Sequence, residues 1–540
     1  MLNGCQLWPY EIAEFYREND CWRGETFEKM LRDRAATYGN NIAIICGKEQ
    51  VSYAELDQRV DQLAAGFQRL GLRKEDRVVV QLPNEIAFFE VCFALFRLGV
   101  LPVFALPTHR YSEIQYFCEF TEAKAYIMPG QLANYNFLKM AQKVQDNTPA
   151  LKHIITLDDT KGWLSLADLY IESDYMPPEV YPDDWAFLQL SGGSTGLPKL
   201  IPRTHDEYIY SLRRSNEICD VNEKSVYLAV LPIAHNFPLS SPGVFGTLYA
   251  GARIVLSSGP SPDEAFPLIE KEQVTITALV PPVAIIWVEA VKTRSYDLSS
   301  LQVLQVGGAH FSAEVASRIQ PAFQCKLQQV YGMAEGLVNY TRLEDPDELV
   351  IYTQGRPMSP YDEIRIVDEE DREVAPGESG ELLARGPYTI RGYYKAKQHN
   401  AKAFTTDGFY RTGDLVHVNK DGYIVMEGRA KDQINRGGEK ISAEEVEDHL
   451  MAHPYILDVA VVSMPDKFLG ERSCAFIIPN EKTLDDAEIK QFLKEKGLAA
   501  FKIPDRVEIV DSFPQTPFGK VSKKALREII SEKIATLQSI

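Results

Sequence analysis

The chain has 540 residues, 45% of them hydrophobic and 25% charged, which are proportions of ordinary globular protein, and its length allows roughly three to four compact units. A net charge of -19 leaves no surplus of Lys and Arg for a nucleic-acid surface, so the acidity is read as solubility. The eight cysteines stand apart without any C-x-x-C pair, unlike a disulfide framework or a zinc site, and point to a reducing compartment.

The N-terminal "MLNGCQLWPYEIAEFYREND" has no basic stretch leading into an apolar one. The most apolar segment, "VCFALFRLGVLPVFALP", is broken by Arg97 and two prolines. Neither pattern fits a signal peptide or a membrane span, and a cytoplasmic protein is expected. From about residue 50 to 130, helical spacing in "YAELDQRVDQLAAGFQRLG" alternates with short β-branched runs such as "DRVVVQLP". This rhythm predicts a parallel sheet with helices on its faces. It returns in "ARIVLSSG", "EAFPLIEKEQ", "VTITALVPP" and "LQVLQVGG", so two similar α/β units in sequence are expected. After about residue 350, "YDEIRIVDEEDREV", "GESGELLARGPY" and "GYIVMEGR" predict short strands and turns in a small β-rich piece. The last hundred or so residues, with "SAEEVEDHLMAH", "DVAVVSMP", "CAFIIP" and "DDAEIKQFLKEKG", read as a separate α+β core. The charged, glycine-rich "GRAKDQINRGGEK" places a domain boundary at Lys431. The expected architecture is thus α/β: residues 1–430 form a large domain of two α/β subdomains plus a β-rich subdomain, and residues 431–540 form a small α+β domain.

The loop Ser191–Lys199, "SGGSTGLPK", gathers small residues, hydroxyls and a lysine. It is not a P-loop, because Lys199 follows Pro198 and Leu200 takes the hydroxyl position. Pro198 and Pro202 disfavour a helix after the glycines, so the loop is expected to join two strands. Backbone amides with the hydroxyls of Ser191, Ser194 and Thr195 and the charge of Lys199 could wrap an anion, but a plain hairpin accounts for the same residues.

The loop has companions. "SGGSTGLPK", "YGMAEG", "GELLARGPY", "FYRTGDL", "GRAKDQINRGGEKISAEEVE" and "PQTPFGKV" follow one another as in the adenylate-forming superfamily of acyl-CoA synthetases, firefly luciferase and peptide-synthetase adenylation domains. "LPIAHNFPLSSPGVFG", "YGMAEGLVNYTRL" and "PFGKVSKKALRE" resemble the stand-alone 2,3-dihydroxybenzoate-AMP ligases of catechol-siderophore pathways. The resemblance implies ATP and Mg2+ as cofactors, with an acyl-adenylate and pyrophosphate as first products. It assigns Ser191, Gly192, Gly193, Ser194, Thr195, Gly196 and Lys199 to the ATP phosphates and Glu335 to the metal. Many relatives carry a threonine before that glutamate, where this chain has Ala334, so a hydroxyl contact near the α-phosphate is put in doubt. Asp414 is matched to the ribose hydroxyls, since an ionised carboxylate presents acceptors to a diol. Arg429, Tyr331 and Gly332 are matched to the nucleotide, and Gly308 and Ala309, with Gly307, to close backbone approach. Lys520 is matched to the catalytic lysine and Lys431 to the hinge, while Lys523 and Lys524 read as helical surface charge.

For the acid, the resemblance points to His235, Asn236, Phe237, Ser241, Gly308 and Val338. Amino-acid-activating relatives place an aspartate at the position of Asn236, whose neutral amide suits an ortho phenol instead. Salicylate-activating relatives tend to carry Cys and Leu at the positions of Ser241 and Val338. No carrier domain follows residue 530, so the implied acceptor is the phosphopantetheine thiol of an aryl carrier protein in trans. A salicylate-AMP ligase, an aryl-CoA ligase and a non-catalytic relative are the alternatives.

Overall fold

The computed structural model describes residues 4–172, 175–191, 199–309, 311–429, 432–436, 439–466, 469–480, 484–496, 498, 500–516 and 520–538. Two large sheets carry the N-terminal part. The first has seven strands in the order Leu200–Thr204, Trp185–Leu190, Leu101–Phe104, Arg77–Val80, Ala125–Met128, His153–Thr156 and Leu164–Ser165. It is parallel except where Leu200–Thr204 runs antiparallel to Trp185–Leu190, with Leu190 opposite Leu200. The Ser191–Lys199 loop therefore joins two neighbouring strands, as its prolines predict.

The second sheet has nine strands, with Ile42–Cys46, Arg253–Leu256, Val226–Ala229, Ile276–Leu279, Val303–Gly307 and Lys326–Gly332 mutually parallel. Its edge is supplied by the hairpin Ile42–Cys46 and Glu49–Ser52. The two α/β units are consequently not simply consecutive: the chain begins in the second sheet, builds the whole of the first, and then returns. Strand pattern fixes which face of a strand is buried, not which strand lies beside it.

Between the sheets lies an aromatic core around Phe27, whose ring stacks on Phe96 with centroids 4.8 Å apart. Helix Tyr53–Arg69 packs there because Tyr53, Leu56, Val60, Leu63 and Phe67 recur on one face, and Ser52 with Glu55 closes its first turn as a capping box. Every residue of helix Ile86–Arg97 is buried. Arg97, which interrupts the apolar run, is tolerated inside because Asp57 and Asp61 both pair with it.

A four-stranded antiparallel sheet follows, in the order Glu363–Val367, Gly380–Arg385, Tyr410–Val418 and Ile424–Arg429. A last sheet, built on the long hairpin Ile456–Asp466 and Gly470–Pro479, carries helices Ala443–Met451, Asp486–Glu495 and Lys523–Gln538. Its own cores centre on Ile434, Val446, Val461 and Ile477 on one side, and on Val462, Phe476 and Leu526 on the other. The small α+β unit expected from the sequence is thus present. The boundary residue Lys431 lies outside the described residues.

Candidate active site

The base of the Ser191–Lys199 loop is clamped by its first and last residues. The Ser191 N–H donates to the Lys199 carbonyl at 2.9 Å, and the Lys199 N–H donates to Ser191 Oγ at 3.0 Å. Gly192, Gly193, Ser194, Thr195 and Gly196 lie outside the described residues. Lys199 Nζ stands 5.9 Å from the ring centroid of Tyr393, and Tyr393 donates its hydroxyl to Glu335 Oε1 at 2.7 Å. Burial raises the Glu335 carboxyl, against the Tyr393 hydrogen bond. Ala334, the residue before it, accepts from Arg203 Nη1 through its carbonyl at 2.6 Å. The buried Arg203–Glu207 pair therefore fixes the turn that carries Glu335. Among the described residues no group of three or more His, Cys, Asp or Glu is placed to hold a metal. One carboxylate is nonetheless a sufficient protein donor for magnesium that arrives with nucleotide phosphates, and Glu335 fits that part.

Asp414 and Arg429 face each other across the strands Tyr410–Val418 and Ile424–Arg429. Direct opposition places Arg429 Nε 2.6 Å from Asp414 Oδ1, while Tyr331 donates its hydroxyl to Oδ2 at 2.5 Å. Asp414 is 0% exposed. Burial raises its carboxyl and the Arg429 charge opposes that shift. Both carboxylate oxygens of Asp414, the residue that the sequence matches to ribose, are thus engaged, Oδ1 by Arg429 and Oδ2 by Tyr331.

Lys520 is held at the end of a backbone clasp: its N–H donates to Thr516 Oγ1 at 3.2 Å and its carbonyl accepts from the Thr516 N–H at 2.7 Å. A cavity of about 330 Å³ is bordered by Gly308, Ala309, Tyr331, Gly332 and Arg429 on one side and by Lys520 on the other. Residues some 200 positions apart in the chain thus share one space. Lys523 requires a correction. It is not ordinary surface charge: its side chain is 18% exposed and its Nζ lies 2.7 Å from Glu447. Burial lowers its pKa, and the carboxylates of Glu447 and Glu444 outweigh that, for a net rise. Lys524, 49% exposed, keeps the expected character.

The residues assigned to the acid meet around the end of strand Val303–Gly307; of them Gly308 borders the cavity, while His235, Asn236, Phe237, Ser241 and Val338 do not line it. A side chain at Gly307 would collide with the Val330 carbonyl and the Phe237 ring, so packing within the protein, not a ligand, demands that glycine. Gly308 has φ +86, a backbone state that suits glycine, while a Cβ there would meet only Val280 Cγ1 at 3.5 Å, an ordinary contact. Val338 lies opposite Gly332 in an antiparallel pair, and Ser241 is buried within hydrogen-bond reach of the Tyr340 hydroxyl. His235 caps helix Asn236–Ser240, with Nδ1 accepting from the Phe237 N–H at 3.3 Å. Packing around the ring, with the Lys520 charge nearby, pushes His235 down to about 3, so the imidazole is neutral at physiological pH. Asn236 accepts at Oδ1 from the Tyr208 hydroxyl at 3.0 Å. Sequence reasoning missed Tyr393, Arg203 and Tyr208, which reach the site through contacts across 28 to 131 positions. Of these, only Arg203 stands beside a recognisable motif.

A profile described as AMP-binding enzyme matches residues 31–394, and one described as AMP-binding enzyme C-terminal domain matches residues 445–520. The chain belongs to the AMP-binding enzyme family. It is 66% identical over 534 residues to the 2,3-dihydroxybenzoate-AMP ligase of Bacillus subtilis strain 168, covering 99% of each chain. It is 48% identical to the vibriobactin-specific 2,3-dihydroxybenzoate-AMP ligase of Vibrio cholerae, covering 96% of each. The apo structure of Mycobacterium smegmatis MbtA superposes with a TM-score of 0.76 at 43% identity, over 97% of this chain and 98% of that one. The α/β architecture of a large N-terminal and a small C-terminal domain is that of the AMP-binding enzymes. Among the described residues, no helix is long and apolar enough to cross a membrane.

Proposed function

We propose that this AMP-binding enzyme is a 2,3-dihydroxybenzoate-AMP ligase of siderophore biosynthesis, acting in the cytoplasm on an aryl carrier protein. The observation that carries this reading is the 66% identity over essentially the full length of both chains.

A carboxylate is a poor acylating agent because its leaving group would be oxide; exchanging that for AMP removes the obstacle. The aryl carboxylate attacks the α-phosphate in line, and pyrophosphate leaves. Glu335 would hold magnesium from the protein side, and the ion would supply charge neutralisation at the phosphates. Lys199 and the glycine-rich loop hold the β- and γ-phosphates. Asp414 takes the ribose diol once Arg429 has swung onto the nucleotide, and Tyr331 gives its ring face to adenine beside Gly308, Ala309 and Gly332. Lys520 bridges the attacking carboxylate and the α-phosphate, stabilising charge in the transition state without acting as a base. Support for this role comes from the cavity that Lys520 shares with Gly308 and Tyr331.

In the second half-reaction the domain 431–540 rotates about Lys431 away from the domain 1–430. This withdraws Lys520 and admits the pantetheine thiol, which attacks the acyl carbonyl and releases AMP. Asn236, neutral where an amino-acid enzyme needs a carboxylate, faces the ortho phenol. His235, Phe237, Gly308 and Val338 complete the wall, and Ser241 reads the 3-hydroxyl.

ATP–pyrophosphate exchange over a panel of acids tests this reading. The expected result is magnesium-dependent exchange with 2,3-dihydroxybenzoate, weaker exchange with salicylate, and none with phenylalanine. Phenylalanine activity equal to that of the aryl acids would refute it. The double substitution Ser241→Cys with Val338→Leu should lower catalytic efficiency for 2,3-dihydroxybenzoate more than for salicylate. A lost buried hydrogen bond costs about 1–3 kcal/mol, a roughly tenfold to hundredfold change in the ratio. An unmoved ratio would mean that these side chains do not read the 3-hydroxyl.

A further inference from the structure

Asn236 can present either of two faces to a ligand. Its amide has a donor end and an acceptor end of the same shape, so the residue alone does not say which end meets the acid. Its surroundings decide. Tyr208, 1% exposed, donates its hydroxyl to Asn236 Oδ1 at 3.0 Å, and Gln189 Nε2, on a residue 1% exposed, donates to the Tyr208 oxygen at 3.2 Å. Ser240 Oγ lies 3.4 Å from the same Oδ1, sharing its proton with the Asn236 backbone carbonyl at 3.2 Å. The Arg203 guanidinium sits 4.8 Å from the Tyr208 ring centroid, and a cation over a phenol face makes its O–H a better donor. Burial holds the Tyr208 hydroxyl protonated, pushed up to about 12. Each contact has the same polarity: donors converge on the Asn236 oxygen, and the amide nitrogen has no hydrogen-bond partner among the described residues.

Resting on the proposed aryl-acid activity, we infer that Gln189 and Tyr208 are positioning residues. They form a buried relay that locks the Asn236 amide with its N–H groups toward the acid, and so select an ortho-hydroxylated ring. The chemistry of the ligand fits this polarity. An ortho-hydroxybenzoate ties its phenolic proton to its own carboxylate, leaving the phenolic oxygen as an acceptor. A donor fixed opposite that oxygen recognises it, whereas an amide free to rotate offers its carbonyl as readily and repels it. The relay contacts no substrate; its effect passes through Asn236.

The test compares 2,3-dihydroxybenzoate with 3-hydroxybenzoate, which lacks only the 2-hydroxyl, in ATP–pyrophosphate exchange by the full-length enzyme. In Tyr208→Phe the ratio of kcat/KM between the two acids should fall by about tenfold or more, the scale of one lost buried hydrogen bond. The loss should lie mainly in KM for the dihydroxy acid, with KM for ATP moving less than about twofold. Gln189→Leu, which leaves every contact of Asn236 in place, should shift the ratio in the same direction by a smaller factor. It carries the test by itself if Tyr208→Phe does not fold. General damage to the fold would depress both acids together and leave the ratio where it was. A wild-type enzyme that prefers the dihydroxy acid, with an unmoved ratio in the variants, overturns the relay alone. A wild-type enzyme that exchanges with neither acid overturns the proposed function, and the relay with it.

Discussion

Replacing Lys520 by alanine should lower the rate of adenylate formation by about 10²–10³, the effect of removing one preorganised charge contact worth roughly 3–4 kcal/mol of barrier. The loss should fall on kcat rather than on KM, because the ammonium is placed for charge that develops as the carboxylate and the α-phosphate join. Thioester formation from pre-made 2,3-dihydroxybenzoyl-adenylate should survive, since the proposed rotation of the small domain withdraws Lys520 in that step. Two assays on one preparation read this: pyrophosphate exchange, and thioesterification of the carrier supplied with synthetic adenylate. Equal damage to both half-reactions would place the lysine outside the chemistry of adenylation. Lys520 is anchored by backbone contacts to Thr516 that the substitution leaves intact, so the local fold should be the same in the variant.

The second large effect is on stability. Arg97→Leu should destabilise the large domain by about 3 kcal/mol, near the lower end of what breaking a buried ion pair costs. The Arg97 side chain is 0% exposed and serves two carboxylates, Asp57 and Asp61. Arg32 stays beside them, 3.6 Å from Asp57 and 2.9 Å from Asp61, and Asp61 keeps some access to water, which together hold the cost toward that lower end. Arg318→Ala is the matched control. Its pair with Glu314 is 47% and 40% exposed, and it should change stability by less than about 1 kcal/mol. Urea unfolding followed by tryptophan fluorescence compares the two. Equal midpoints for both variants would mean that the paired charges inside the helix layer contribute no more than surface ones.

Much of the fold is legible in the sequence because it is written in local patterns. The prolines at 198 and 202 indicate a strand after the glycine-rich loop, and the Leu200–Thr204 strand is there. The run of short strands after residue 350 and the separate C-terminal core follow from period and turn chemistry in the same way. What stays hidden depends on partners distant in sequence. The alternation of helices and short apolar runs predicts parallel sheets but gives no sign that Ile42–Cys46 pairs with Arg253–Leu256. Lys523 reads as surface charge because nothing near it in sequence reveals Glu447 on the opposing helix.

The site divides along the same line. Motifs mark Lys199, Glu335, Asp414 and Lys520, since each lies in a short, ordered string. They do not reveal that Tyr331 and Arg429 both contact the Asp414 carboxylate, or that Tyr393 stands between Lys199 and Glu335. Both depend on contacts between segments distant in sequence, Tyr331 with Asp414 and Tyr393 with Glu335. Asn236 is the sharpest case: its neutral amide is legible in the sequence, but the Tyr208 and Gln189 contacts that orient it come from residues with no motif of their own.

The most direct test of adenylation is to follow oxygen from the acid. 2,3-Dihydroxybenzoate labelled with heavy oxygen in its carboxylate is incubated with ATP, magnesium, the enzyme and the carrier thiol, and the nucleotide and pyrophosphate are examined by mass spectrometry. If the carboxylate attacks the α-phosphate and the thiol then takes the acyl group, AMP emerges with one heavy oxygen and pyrophosphate with none. Label in pyrophosphate or inorganic phosphate, or a thioester formed with unlabelled AMP, would contradict the account.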